Sequence, residues 1–196
     1  MEKLLVPLDV YLKSGIHIGS RFRTKYMLPF VYKIRADGLS IINVQDVDKR
    51  IKLAINFISR YKPEEILVVC RRRKGRKAAE LFSKLIGCKS YIGRYLPGSM
   101  TNIHYEKYME PKLVITVDPW QDRNAIKDAK KVGAVVLSLA DTNNVYSNVD
   151  LVIPGNNKSK KSIGLVFYLL AKGYLEKTKQ LTPELEKELK LEDFQE

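Results

Sequence analysis

Six of the seven residues from Arg71 to Lys77 are cationic: Arg71, Arg72, Arg73, Lys74, Arg76 and Lys77, interrupted only by Gly75. Guanidinium and ammonium groups at this density bind phosphate oxygens. A single small phosphate is ordinarily held by glycines that let backbone N–H groups close on it. Here there is one glycine and a brush of long side chains, which suits a chain of phosphates better. Arg21, Arg23 and Lys25, with Arg35, form a second basic group, Arg94 sits in a long loop, and Lys158, Lys160 and Lys161 form a third group at a helix start. Cations on an exposed helix face are ordinarily just solvated, but these fall on predicted loops, which points to nucleic acid. No RRM aromatics, KH loop or helix-turn-helix pattern is present. The expected recognition is therefore of phosphate path and RNA shape rather than base edges. Tyr26, Tyr32, Tyr91 and Tyr95 lie near the basic loops, where stacking on unpaired bases and burial in the core are both open.

Catalytic readings are poorer. Asp118 and Asp141 follow predicted strands and Lys158 follows the last one, similar to the phosphoacceptor arrangement of response regulators, but the opening strand carries no acidic pair to hold a magnesium ion. Hydrogen bonding within loops is the better role for both aspartates. His17 and His104, the only histidines, are far apart and lack a nearby Cys, Asp or Glu cluster, so no metal is expected. Neither G-x-G-x-x-G nor G-x-x-x-x-G-K-[ST] occurs, and Ser14, Ser20 and Ser99 lack a nucleophile-elbow context. No catalysis and no cofactor are expected. The alternative is a phosphate- or nucleotide-handling α/β enzyme that uses Asp118 and Asp141 at the same strand ends.

The elements that must position these residues alternate along the chain. Leu8 to Ser14 reads as a helix, with Asp9 a candidate cap and Gly15 its end. Ser20 to Tyr26 is basic and weakly structured. Phe30–Arg35 and Leu39–Val44 read as strands joined at Asp37-Gly38, a hairpin signal. Val47, Ile51, Ala54, Ile55 and Ile58 mark an amphipathic helix that stops before Pro63. The apolar run Glu65–Cys70 is a strand covered on both faces, and Ala78, Ala79, Phe82, Leu85 and Ile86 give the helix after it, with Gly87 at its end. The cationic run thus occupies a strand-to-helix turn, where α/β folds place their binding loops. A short piece at Ser90–Ile92, strands at Leu113–Val117, Ala134–Leu139 and Leu151–Ile153, and a helix over Ala125, Ile126, Ala129 and Val132 follow. The last core helix carries Ile163, Val166, Phe167, Leu170, Ala171 and Tyr174 on one stripe. Short buried strands separated by helices imply right-handed crossovers and a three-layer α/β domain: a mainly parallel central sheet with helices on both faces.

The 196 residues carry a net charge of +13, with 35 Lys and Arg against 22 Asp and Glu. Self-repulsion makes such an excess mildly costly, so a polyanionic partner is its economical explanation. The excess is confined to residues 1–175, at +16. Residues 176–196 carry −3 and are expected to form an acidic tail, mobile or ordered by a partner, with a helix starting at Thr182-Pro183-Glu184 and contacts from Leu185, Leu189 and Leu191. Asp9, Lys13 and His17 interrupt any signal-like apolar run, and no membrane span or basic amphipathic helix stands out, so a soluble cytoplasmic protein is expected. Cys70 and Cys88 form no C-x-x-C pair and read as buried free thiols.

Arg94-Tyr95-Leu96-Pro97-Gly98-Ser99-Met100-Thr101-Asn102 resembles the R-[WFY]-x-P-G-x-x-T-N signature of the universal family of small-subunit ribosomal protein number two, which includes the laminin-receptor-precursor proteins of eukaryotes. Gly15-Ile16-His17-Ile18-Gly19 is similar to the family's G-x-H-x-G, and Arg35-Ala36-Asp37-Gly38 to its R-x-D-G. Leu139–Asn143, Val149-Asp150 and Ile153–Asn157 are similar to its L-x-D-T-N, V-D and I-P-x-N-[ND] blocks, in order. The resemblance spans residues 10–175. It implies a flavodoxin-like fold and a structural role between head and body of the small ribosomal subunit, bound to ribosomal RNA and neighbouring ribosomal proteins, with no small-molecule substrate. Only Ile103–Pro111 separates Asn102 from the next strand, so the long coiled coil of bacterial members is missing and the chain resembles the archaeal or eukaryotic type. Phosphate contacts by Arg71–Lys77 rest on charge, because that turn is more basic than the family pattern. Pro97, Gly98, Thr101 and Asn102 are read as shaping their loop.

Overall fold

The first helix, α1 (Leu8–Ser14), ends where Gly15 takes φ +69° and returns its N–H to the Leu12 carbonyl. Pro7 occupies the cap position and Asp9 lies inside the first turn, so the expected Asp9 cap is replaced by a carboxylate that favours the helix dipole. The computed structural model describes residues 4–106, 108–181 and 189–195. The Asp-Gly signal resolves into an antiparallel hairpin, β1 (Val31–Ile34) with β2 (Ser40–Ile42), in which Asp37 accepts the Leu39 N–H at 3.1 Å and Gly38 takes φ +84°. Asn43 then caps α2 (Val44–Ile58) by accepting the Gln45 N–H.

From β3 (Ile66–Cys70) the chain alternates through α3 (Arg76–Ile86), β4 (Lys89–Ile92), β5 (Leu113–Thr116), α4 (Arg123–Lys131), β6 (Val135–Ala140), β7 (Leu151–Pro154) and α5 (Lys160–Lys177). The five strands form one parallel sheet in the order β4-β3-β5-β6-β7. This is the flavodoxin-like order, and it reverses direction between β3 and β5. At such a switch point the two crossovers diverge and leave a crevice beyond the strand ends.

The period-2 alternation of the strands divides the core. Ile66, Val68, Cys70, Leu113, Ile115, Leu137 and Leu139 face the larger cluster, with α2, α3 and α5. Leu67, Val69, Val114 and Val136 face the smaller one, with α4 and with Tyr95, Met100 and Met109 from the loop after β4. Both layers expected outside the sheet are present but unequal, because the crossovers β4 to β5 and β6 to β7 pass through irregular segments rather than helices.

The single stripe expected for α5 is too narrow. Ile163 to Phe167, Leu169 to Ala171 and Gly173 to Leu175 are all buried, since α1, α2, α3 and a short last helix, α6 (Leu191–Gln195), surround it. A helix apolar on all sides is what such a position requires. A Cβ at Gly173 would meet Ile55 at 2.5 Å, so glycine is what lets α2 and α5 approach. Of the acidic extension, α5 takes up residues 176 and 177, and Leu189, Leu191 and Phe194 pack on the larger cluster, the Phe194 carbonyl facing Gly164. The helix start expected at Thr182 and the contact of Leu185 lie outside the described residues. Cys70 and Cys88 are free, and burial pushes both thiols up to about 12. No described helix is long and apolar enough to cross a membrane.

Candidate nucleic-acid interface

Each strand of the parallel sheet hands the chain to a loop on the same side of the domain. After Cys70, the Arg71 N–H donates to Asp122 Oδ1 at 3.0 Å and the Arg72 guanidinium closes on Asp118. Arg73–Gly75 form a single 3-10 turn, after which α3 starts at Arg76. Gly75 is packed down: a Cβ there would lie 3.1 to 3.3 Å from Cys70, Ile163 and Val117. The turn is therefore held by its backbone and by Arg72, while Arg71, Arg73, Lys74 and Arg76 project into solvent.

Beneath them lies a dry, acidic floor. Asp118, Asp122 and Asp141 are 1 to 2% exposed, and all are occupied. Asp118 Oδ1 accepts the Trp120 N–H and the Asn144 side-chain amide, both at 3.0 Å. Asp122 accepts the N–H groups of Arg71 and Asp118. Its burial nevertheless dominates and pushes the carboxyl up to about 7, with those two N–H groups pulling the other way. Asp141 accepts the Thr142 N–H through Oδ1 and meets the Lys158 ammonium at 2.8 Å through Oδ2. Asn144 joins the loops, its side-chain Oδ1 accepting from the Asp141 N–H at 2.8 Å and from the Asn157 side-chain amide at 2.9 Å. Loop hydrogen bonding, expected of Asp118 and Asp141, is what both do.

Above the floor opens a cleft of about 690 Å³ at the β3/β5 switch point. It is lined by Arg71, Arg72, Arg73, Lys74, Arg76 and Lys158, together with Trp120, Gln121 and Arg123. The first six come from separate basic groups of the sequence, brought together by the parallel topology. The last three were missed. Their signal was present: the apolar run from Leu113 stops at Asp118-Pro119 as the run from Ile66 stops at Arg71, and the strand-to-helix rule that singled out Arg71 applies equally to Arg123.

Charge at the helix starts strengthens the pattern. Arg76 and Lys77 open α3, Arg123 opens α4, Lys160 and Lys161 open α5, and none of the three helices has an acidic residue in its first turn. A helix N-terminus carries roughly half a positive charge, so cations there are repelled. Three such helix starts at the carboxyl ends of the strands leave a strongly electropositive rim, costly to the free protein and suited to a polyanion.

The remaining candidates stand around the cleft rather than in its lining. Lys77, Lys160 and Lys161 occupy first helical turns, and Arg94 follows β4, beyond Gly93. Arg21, Arg23 and Lys25 lie on the Ser20–Tyr26 segment, which lacks a regular element yet is tied down. The Ser20 N–H donates to Thr142 Oγ1 at 2.8 Å, the Thr24 N–H donates to the Thr142 carbonyl at 3.0 Å, and Thr24 Oγ1 donates to the Asn144 carbonyl at 2.7 Å. A Cβ on Gly19 would meet Thr142 Cγ2 at 2.6 Å, so the strap runs hard against the loop after β6. All thirteen sequence candidates thus belong to one side of the domain.

The loop from Arg94 to Asn102 folds over α4. Asp128 Oδ2 accepts the Tyr95 hydroxyl at 3.1 Å and the Gly98 N–H at 3.3 Å, Gly98 takes φ +93°, and its carbonyl accepts from Thr101 and Asn102. Tyr95 is buried edge-on to Tyr91, which assigns it to the core rather than to base stacking, whereas Tyr32 is exposed. His17 is partly buried, which lowers its pKa, and His104 sits in the exposed part of the loop. Among the described residues no group of three His, Cys, Asp or Glu side chains is placed to hold a metal ion.

Residues 11–107 and 104–177 match the family model described as ribosomal protein S2. Among similar archaeal proteins, the small ribosomal subunit protein uS2 of Staphylothermus marinus is 44% identical over 93% of this chain and 83% of its own. That of Ignicoccus hospitalis is 44% identical over 93% and 86%, and that of Nanoarchaeum equitans 41% identical over 97% and 95%.

Proposed function

Because this chain belongs to the ribosomal protein S2 family, we propose that it is a structural constituent of the small ribosomal subunit and meets ribosomal RNA with the basic rim at the carboxyl ends of its sheet. The observation that carries this reading is the convergence, on one side of a rigid α/β body, of the Arg71–Lys77 turn, the Arg21–Lys25 strap, Arg94 and the Lys158–Lys161 helix start. Neutralising RNA phosphates there releases their condensed counterions, which supplies affinity, while the fixed spacing of the rim selects a shape of folded RNA. Arg71, Arg73, Lys74, Arg76, Lys77, Arg21, Arg23, Lys25, Arg94, Lys158, Lys160 and Lys161 are the assigned phosphate contacts. Arg72 belongs with them at the rim, although its guanidinium serves Asp118 first, just as the Lys158 ammonium serves Asp141.

The role is non-enzymatic. An acid–base catalyst needs a carboxylate turned to its substrate, and Asp118, Asp122 and Asp141 spend their oxygens on backbone N–H groups, Asn144, Arg72 and Lys158. The position between head and body, contacts with neighbouring ribosomal proteins, and a cytoplasmic location follow from the same assignment. The acidic extension from residue 176 is assigned to the protein's own core through Leu189 and Phe194, with its charged side left for a basic neighbour.

Cosedimentation of the purified protein with small subunits lacking it tests the assignment. Stoichiometric uptake is expected, and uptake should fall when Arg71, Arg73, Lys74 and Arg76 are changed together to Gln. Saturable turnover of a nucleotide by the isolated protein, with no uptake, would replace this reading by the enzymatic one.

A further inference from the structure

Trp120 is the only tryptophan of the chain and is 71% exposed. Its backbone is fixed, the N–H donating to the buried Asp118 carboxylate at 3.0 Å. Its indole forms a wall of the basic cleft and also borders a hollow of about 240 Å³, where Pro119, Ile126, Val145, Tyr146 and Val149 are joined by Arg123 and Lys127 at the margin. Among the described residues no ring or guanidinium stacks on it. Large, flat and anchored at its base, it separates a densely cationic space from a more apolar one. A nucleotide has the same division, with a charged phosphate on one side and a flat, weakly polar base on the other.

We infer that this wall is a stacking platform for one unpaired ribonucleotide of the bound RNA: its base lies on the Trp120 indole while its flanking phosphates occupy the cleft with Arg71, Arg73 and Arg123. The inference rests on the RNA-binding reading and adds to it a contact that phosphate charge alone does not provide. Duplex RNA keeps its bases stacked inside, so the platform favours a bulge, loop or single strand over a helix. Every base has a π-face, so the preference is for unpaired structure rather than for sequence. Arg123 belongs to both hollows, which places its guanidinium to follow the strand from base to phosphate. Free nucleotides offer the same base and phosphate, but a single phosphate uses little of a cleft built with this many cations.

With one tryptophan, intrinsic fluorescence reports on the platform directly. The full-length protein is titrated with a single-stranded oligoadenylate of eight nucleotides, with a blunt RNA duplex, with AMP and with inorganic polyphosphate, in each case following both tryptophan emission and binding by anisotropy or competition. Expected are quenching by the single strand, binding without quenching by polyphosphate and duplex, and weak or no binding of AMP. Trp120→Leu should weaken single-strand binding about ten-fold, the cost of one stacked base, while leaving duplex and polyphosphate binding unchanged, and Trp120→Phe should recover part of the loss. Single-strand binding with unchanged emission, or unchanged affinity in Trp120→Leu, overturns the platform but leaves the phosphate-binding rim standing. AMP that quenches and binds as tightly as the strand overturns the RNA source in favour of a free nucleotide. Failure of every polyanion to bind removes the RNA-binding reading itself.

Discussion

Arg72 and Asp118 form an ion pair in the floor of the switch-point cleft, the arginine side chain 20% and the aspartate 2% exposed. One cation of the basic turn is thereby separated from its neighbours. Arg72→Ala leaves a buried carboxylate without its counter-charge and should cost on the order of 3 kcal/mol of stability. Arg73→Ala, at an exposed position, should change stability by less than about 0.5 kcal/mol yet lower the salt slope of RNA binding by about 0.7 to 0.9 log unit if one phosphate contact is lost. Urea unfolding and a salt titration of binding, made on both variants, check the division. Equal unfolding midpoints for the two would show that the pair does not support the fold.

The strap carrying Arg21, Arg23 and Lys25 depends on Gly19, where an added Cβ would sit 2.6 Å from the Thr142 methyl and 3.0 Å from the Ser40 carbonyl. Gly19→Ala should destabilise the domain by about 1 to 3 kcal/mol through overpacking and loosen the strap from the loop after β6. Tryptic cleavage after Arg21, Arg23 or Lys25 under native conditions is the readout, and it should accelerate. Cleavage at the wild-type rate would mean the strap is held elsewhere.

Asp122 keeps its proton to about pH 7 in the folded protein, against an ordinary value of 3.8. The folded state then binds more protons than the unfolded chain between those values, so this group's effect on stability is a loss as pH rises from about 4 to about 7, complete above it. Asp122→Asn carries no titrating proton. The variant loses an acceptor and melts lower at pH 4, but the gap to the wild type should narrow as pH approaches 7. A gap that stays constant, measured as Tm across that range, would exclude titration of Asp122 as its cause.

The loop that carries the family signature hangs on Asp128, which holds both the Tyr95 hydroxyl and the Gly98 N–H. Asp128→Ala strands two polar groups, each costing about 1 to 3 kcal/mol where buried. Hydrogen exchange over residues 94–106 should speed up well before the strands of the sheet do. Tyr95→Phe removes only one donor and should show the same change in weaker form. Uniform acceleration throughout the domain would point to global rather than local unfolding.

The reach and the limits of sequence reasoning follow from the same residues. Alternation of β-branched runs with helical stripes placed four of the five strands of the parallel sheet, because segments such as Ile66–Cys70 and Leu113–Thr116 are buried on both faces and read as unbroken apolar runs, whereas β4 read only as a short piece at Ser90–Ile92. The breadth of burial around α5 was not legible, since it arises from α1 and α6, whose packing is a tertiary fact. The cationic turn was conspicuous because its charges are contiguous. Arg123 and Trp120 were not, each standing alone among residues of other kinds, Arg123 at the first position of α4 and Trp120 in the loop before it, and only the strand order brings them opposite Arg71. The Asp118–Asn144–Asn157 chain is likewise assembled from three loops distant in sequence, which no local pattern encodes.

Helix α5 stands at the centre of the larger core, yet it is the last long element to leave the ribosome that makes it. At 5 to 20 residues per second, roughly 1 to 4 s of synthesis separate Leu139 from Lys160. Throughout that interval Ile66, Val68, Ile115 and Leu139 lack the helix that later covers them. Parallel strands cannot pair through local turns, so little native structure can protect this face in the meantime. The nascent chain therefore presents a sheet face that α2 and α3 cover only in part, together with unneutralised cationic loops. The last part of that face closes only when residues 163–175 arrive, after the loops carrying Arg71–Lys77 and Arg94 have already been made.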